Sequence, residues 1–144
     1  MRNLLPAVAL LLLLAASCGE PLRQGCFVEG EGPYVFALDL SDTSAAYNLD
    51  FYTRIDARDV PASIPLYIRW TSPAGEEFRE TVYLPLEGRG SIFSRQVYQP
   101  YRADLRPALP GEWTLTVAIP YRPDGLRGLG LVCNRIKEPW DTEN

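Results

Sequence analysis

From residue 34 onward the chain alternates. Over 47–56, Tyr47, Leu49, Phe51 and Ile55 take one side, and Asn48, Asp50, Arg54 and Asp56 take the other. A period of two marks a strand with one face in a core and one in water. The same alternation predicts strands over 34–40, 64–71, 76–86, 92–98, 111–119 and 128–136. Ile64, Leu66, Ile68 and Trp70 are the inward set of the second of these, Trp113, Leu115, Val117 and Ile119 that of the fifth, and Leu129, Leu131 and Cys133 that of the last. Ser72-Pro73-Ala74-Gly75, Gly88-Arg89-Gly90 and Pro123-Asp124-Gly125 read as turns, because Pro pre-sets one turn dihedral and Gly adopts the unusual ones. Residues 101–110 read as a Pro-rich connection, and thirteen prolines argue against long helices. The expectation is an all-β fold. It would be an antiparallel β-sandwich of about seven strands, jelly-roll or immunoglobulin-like, over 33–137, followed by a polar tail over 138–144.

The first residues follow a different pattern. Arg2 precedes an apolar run over 4–16, and small residues Ala15, Ala16 and Ser17 lead into Cys18. A short basic start, an apolar stretch and a small-residue cleavage site predict a secretory signal peptide over 1–17. The run is thirteen residues long, short of the ~20 that span a bilayer. Leu14-Ala15-Ala16-Ser17-Cys18 resembles the lipobox of bacterial lipoproteins. That resemblance implies a diacylglycerol on the Cys18 thiol and cleavage that leaves Cys18 as the acylated N-terminus. Residues 18–32, rich in Gly and Glu, would then be a lipidated cysteine and a flexible tether. Acyl chains hold a protein on a membrane without a spanning helix, each buried CH₂ adding about 0.8 kcal/mol. The expected location is the bacterial cell envelope, anchored to the inner or outer membrane, with the domain in the periplasm or at the cell surface.

Removing seventeen residues from 144 leaves 127, enough for one domain with a real core. The formal charge is −4, and loss of Arg2 makes it −5. Basic residues are dispersed and outnumbered, which argues against a nucleic-acid partner. Cys26 and Cys133 are the other cysteines, and export would place them where disulfides form. A bridge between them would close a loop of 107 residues (133 − 26); in chain-entropy terms such a loop contributes ~4–5 kcal/mol. The other reading is a pair of unbridged thiols.

The chain has no histidine. That removes the commonest general base and the commonest neutral metal ligand, and with them the serine–histidine and cysteine–histidine nucleophiles. No cofactor or metal is expected. Gly125-Leu126-Arg127-Gly128-Leu129-Gly130 adjoins a strand with no helix after it, so its glycines read as turn and strand irregularities, not a phosphate loop. Carboxylate pairs are the remaining catalytic candidates: Asp39 with Asp42, Asp50 with Asp56, and Glu76 with Glu77 and Glu80. Acids near turns and on wet strand faces are ordinary, so a non-enzymatic role is expected. Tyr52 with Arg54 and Tyr67 with Arg69 occur at i and i+2 on the outward side of their strands, and Arg79 and Tyr83 hold comparable places on the next strand. Were those strands neighbours, they would display a ladder of rings and guanidinium groups. Such a ladder suits a protein partner, since Tyr and Arg dominate binding hot spots, and Tyr faces also accept sugars. The plainer reading is a set of cross-strand pairs that stabilise a wet face by about 0.2–1 kcal/mol each.

Three stretches are similar to the gliding-motility lipoprotein GldH family of Bacteroidetes. The first is Phe36-Ala37-Leu38-Asp39-Leu40-Ser41-Asp42-Thr43 with Tyr47-Asn48-Leu49 and Arg54. The second is Leu66-Tyr67-Ile68, Ser72-Pro73-Ala74-Gly75 and Thr81-Val82-Tyr83. The third runs from Pro110-Gly111-Glu112-Trp113-Thr114-Leu115-Thr116-Val117 to Gly125-Leu126-Arg127-Gly128-Leu129-Gly130-Leu131. The resemblance implies an envelope lipoprotein that acts as a scaffold or accessory component beside gliding and protein-secretion machinery, with envelope proteins as partners. The alternative is an extracytoplasmic module that binds a glycan or another ligand through the Tyr/Arg face.

Overall fold

The computed structural model describes residues 23–57, 59–91 and 94–136, with 89–91 by backbone alone. The predicted leader over 1–17, Cys18 and the tail over 138–144 lie outside the described residues. Among the described residues, nine strands build two antiparallel sheets. They are β1 (Arg23–Glu29), β2 (Tyr34–Asp39), β3 (Ala46–Ile55), β4 (Ser63–Thr71), β5 (Glu77–Pro85), β6 (Arg89–Ser91), β7 (Ser94–Leu105), β8 (Glu112–Ala118) and β9 (Gly128–Ile136). The five-stranded sheet has the order β1-β9-β3-β7-β6, and the four-stranded sheet the order β2-β8-β4-β5. With the short β6 set aside, the chain crosses between sheets at every step except the β4–β5 hairpin. Four strands ordered β1-β9-β3-β7 over four ordered β2-β8-β4-β5 make a jelly roll, which decides between the two expected sandwiches.

The inward residues read from alternation fill the space between the sheets. Tyr47, Leu49, Phe51 and Ile55 of β3 are buried with Ile64, Leu66, Ile68 and Trp70 of β4, Trp113, Leu115 and Val117 of β8, and Leu129, Leu131 and Cys133 of β9. Burying one large apolar side chain contributes ~1.5–3 kcal/mol, so these rows hold the sheets together. Thr53 interrupts the apolar row of β3 and is buried; its hydroxyl donates to the Gly128 carbonyl. The β4–β5 hairpin closes through Ser72. Its carbonyl accepts from Gly75 N–H at 2.9 Å, and Gly75 takes a φ of 84° that side-chain-bearing residues rarely adopt.

Three expectations are corrected. The segment expected to be tether contains β1, which pairs with β9 from Arg23 opposite Asn134 to Glu29 opposite Gly128. As an edge strand, β1 needs one ladder only, so it forms without the full alternation of a central strand. The expected turn at Gly88-Arg89-Gly90 instead begins β6, whose three residues pair with Ser94 to Gln96. The strand expected over 92–98, with a Pro-rich connection over 101–110, instead continues as β7 through Pro100 to Leu105. Beyond the reach of β6, β7 has β3 as its neighbour on one side and an open edge on the other. Proline is tolerated on such an edge strand, where one side of the backbone has no ladder to complete.

Candidate functional site

The predicted Tyr/Arg residues do not form one ladder. Tyr52 and Arg54 stand on β3, in the five-stranded sheet, whereas Tyr67, Arg69, Arg79 and Tyr83 stand on β4 and β5, in the four-stranded sheet. The two groups point to opposite sides of the sandwich. Alternation assigned each residue to an outer face correctly, but which strands are neighbours is a non-local fact.

On the four-stranded sheet, Arg69 is directly opposite Arg79, Tyr67 opposite Thr81, and Pro65 opposite Tyr83. The facing guanidinium groups would repel. Glu77 lies between them, its carboxylate 3.2 Å from Arg79 and 4.0 Å from Arg69. On the inner neighbour β8, Thr116 faces Arg69 and Ala118 faces Tyr67. Tyr67 is 48% and Tyr83 69% exposed. The result is a wide, open face with two tyrosines and two arginines across the β4–β5 hairpin.

On the five-stranded sheet, the pairings of four strands place Phe27, Gly130, Tyr52 and Tyr98 in one row across the sheet. Gly130 decides what the row does. A Cβ there would lie 2.2 Å from the Tyr52 ring, so the absence of a side chain lets the ring lie on the β9 backbone. Phe27 stacks on Tyr52 with centroids 5.4 Å apart and planes 27° from parallel. Tyr98 extends the row and donates its hydroxyl to Asp50 at 3.0 Å. Arg54 and Gln96, opposite each other in the next row, run alongside. Arg54 Nε donates to Asp56 and to the Ser94 hydroxyl, both at 3.0 Å. Hydrogen bonding by Ser94, joined by the Arg54 and Arg127 guanidinium groups, holds the Asp56 carboxyl below the usual carboxylate range. Between the two rows runs a groove of about 360 Å³, floored by the backbones of Thr53 and Val97. Phe27, Gln96 and Tyr98 were not singled out from sequence. The signal within reach was Gly130 in a strand interior, a usual mark of close approach.

A third polar group ties the sheets together where β5 meets β7. Tyr101 donates to Glu80, Trp70 Nε1–H donates to the Tyr101 hydroxyl at 2.9 Å, and Arg102 pairs with the other Glu80 oxygen. Burial, with the Glu80 hydrogen bond, raises the Tyr101 pKa well above that of a free tyrosine. Glu80 is thus a structural acid joined to both sheets. Of the other candidate acids, Asp39 accepts from Ser41, Asp42 accepts from Ser44 and pairs with Arg135 at 3.4 Å, and Glu76 N–H donates to the Ser72 hydroxyl at 3.1 Å. Asp50 and Asp56 are six residues apart on extended chain, ~20 Å at strand rise. Among the described residues, no three potential metal-ligating side chains cluster.

Cys26 and Cys133 are not bridged to each other. They stand on adjacent strands, but Cys26 is opposite Leu131 and Cys133 opposite Gln24. Diagonal positions in an antiparallel pair are ~7–8 Å apart, beyond the ~4.4–6.8 Å between Cα atoms that a disulfide spans.

No protein-family profile matches the chain, and no curated protein matches it in sequence.

Proposed function

We propose that this chain is a lipid-anchored cell-envelope lipoprotein that works by binding, presenting its jelly roll to other envelope proteins as a scaffold or accessory component of gliding or secretion machinery. The leader pattern ending at Cys18 supports the anchor, and the three GldH-like stretches support the setting. The observation that carries the binding role is the outer face of the four-stranded sheet. Tyr67, Arg69, Arg79 and Tyr83 converge there across β4 and β5, exposed and with their ion pairs at the surface. Large exposed Tyr and Arg side chains on an open face are what protein partners use as anchors. Confinement to a membrane plane raises the effective concentration for partners in that plane.

Because β1 begins at Arg23, a lipid on Cys18 would be joined to the sandwich by five residue steps, no more than ~18 Å of extended chain. The domain would therefore sit against the membrane surface. Photo-crosslinking in cells tests the reading, with the reactive residue placed in turn at Tyr67, Tyr83 and Tyr98. The expected outcome is the same envelope protein captured from Tyr67 and Tyr83, little from Tyr98 on the opposite face, and loss of capture with Cys18→Ser. Equal capture from all three positions, or none from the first two, would sink it.

A further inference from the structure

We propose that the groove on the outer face of the five-stranded sheet is a binding site for a neutral glycan. A pyranose ring has an apolar patch of C–H groups on its face and hydroxyls around its rim, so a site for it needs ring faces on one side and hydrogen-bonding groups on the other. The groove has that division. Phe27, Tyr52 and Tyr98 form one wall, and Arg54 and Gln96 form the other. Its volume, about 360 Å³, falls within the ~300–1,000 Å³ of small-molecule clefts.

The walls are also held in place before any ligand arrives. Tyr52 rests on Gly130 and stacks on Phe27, Tyr98 is held by Asp50, and Arg54 is held by Asp56 and Ser94. Groups fixed in this way lose little freedom on binding, which conserves affinity. Yet they are not sealed off: Tyr98 is 54% exposed and the Arg54 side chain 56%.

Charge and geometry narrow the occupant. Asp56 pairs with both Arg54 and Arg127, a second carboxylate, Asp50, holds Tyr98, and the chain as a whole is at −4, so the groove is not built for a polyanion. The groove crosses the strands, and at its Tyr52–Tyr98 row β7 pairs with β3 while its other edge is open, β6 reaching only to Gln96. An added peptide strand would run along such an edge and not across the strands in the groove. A neutral, ring-shaped, hydroxyl-rich ligand satisfies both conditions. The site is on the face opposite the proposed protein surface and does not depend on Cys18.

Isothermal titration calorimetry on the full chain in mild detergent tests the site. The probes are cellohexaose, maltohexaose, laminarihexaose, mannohexaose and chitohexaose, with polygalacturonate as the charged comparator. At least one neutral hexasaccharide should bind. Tyr98→Ala should weaken binding ~10-fold, the loss expected for one aromatic contact, and Gln96→Ala should weaken it less. Tyr67→Ala on the other sheet should leave it unchanged. Tyr98 and Gln96 are on the surface, so both variants should keep the fold even where Tyr52→Ala does not. The site is refuted if no neutral hexasaccharide binds at millimolar concentration. It is equally refuted if only polygalacturonate binds, or if both groove variants bind like the native chain.

Discussion

The two outer faces of the sandwich obey the same alternation and come out differently. On the five-stranded sheet, the inner strand β9 offers Gly128 and Gly130 to its neighbours, and aromatic rings settle onto bare backbone. On the four-stranded sheet, the inner strand β8 offers Thr114, Thr116 and Ala118 instead. Neighbouring side chains there stand apart and interact through exposed charges at the surface. The first arrangement makes a groove with fixed walls; the second makes a wider, open face whose charged groups meet in water. An outward-facing residue thus takes its character less from its own strand than from what the next strand puts beside it. Glycine has the largest effect because it contributes no side chain at all.

The largest expected effect comes from reversing that one choice. Gly130→Val would drive a side chain into the Tyr52 ring, displacing it and breaking its stack on Phe27. Overpacking of this kind costs about 1–3 kcal/mol. Thr116→Val changes the equivalent inner strand of the other sheet, where Thr116 faces Val35 and Arg69. A surface change of that kind should stay within ~0.5 kcal/mol. Urea unfolding of the two variants measures the difference directly. Equal losses would mean that the glycine does not set the two faces apart.

The next effect belongs to the seam that both faces share. Tyr101→Phe would leave Trp70 Nε1–H without its acceptor and Glu80 without one donor. A buried polar group left unpaired costs about 1–3 kcal/mol. The loss should fall on both sheets together, seen as one cooperative transition moved to lower denaturant. The same hydroxyl sets a pH dependence. Its pKa is raised in the folded state by burial and by Glu80. The associated stability is therefore fully present below the ordinary tyrosine value of about 10 and is lost as pH rises toward the raised one. The native chain's advantage over Tyr101→Phe should be constant from neutral pH to about 10 and then shrink. An advantage that grows with alkalinity would contradict the hydrogen-bond assignment.

How far the sequence leads can be judged from particular residues. Alternation in 47–56 and 64–71 identified the buried rows of β3 and β4, because burial on one face is a local consequence of a two-residue period. It could not place β3 and β4 in different sheets, and so it joined Tyr52 and Arg54 to residues on the far side of the molecule. β1 escaped notice because Arg23-Gln24-Gly25-Cys26-Phe27-Val28-Glu29 alternates weakly. It is ordered by pairing with a strand about a hundred residues later, Cys26 meeting Leu131. Reading 101–110 as a Pro-rich connection ended the strand too early, because composition does not show that β7 runs on to Leu105 with one open edge. The aromatic groove was the least legible feature. Phe27, Tyr52, Tyr98 and Gly130 come from four segments, and only the joint register of four strands makes them neighbours.

The smallest effect is the one that most sharply separates the faces. Glu77 lies between two guanidinium groups on the four-stranded sheet, 3.2 Å from Arg79 and 4.0 Å from Arg69, with 45% of its side chain exposed. Exposed pairs of this type contribute only ~0.2–1 kcal/mol, because water already solvates both partners and long side chains lose freedom when held. Glu77→Gln also removes the charge that separates facing Arg69 and Arg79, so a small loss remains expected at low salt, about 0.5 kcal/mol. In ~1 M NaCl the Debye length falls to ~3 Å and the loss should vanish. Gly130→Val acts through packing and should cost the same at either ionic strength. Thermal unfolding of both variants at low and high salt therefore tests the central distinction. If the Glu77→Gln loss survives high salt, the charged face is as rigidly organised as the aromatic one.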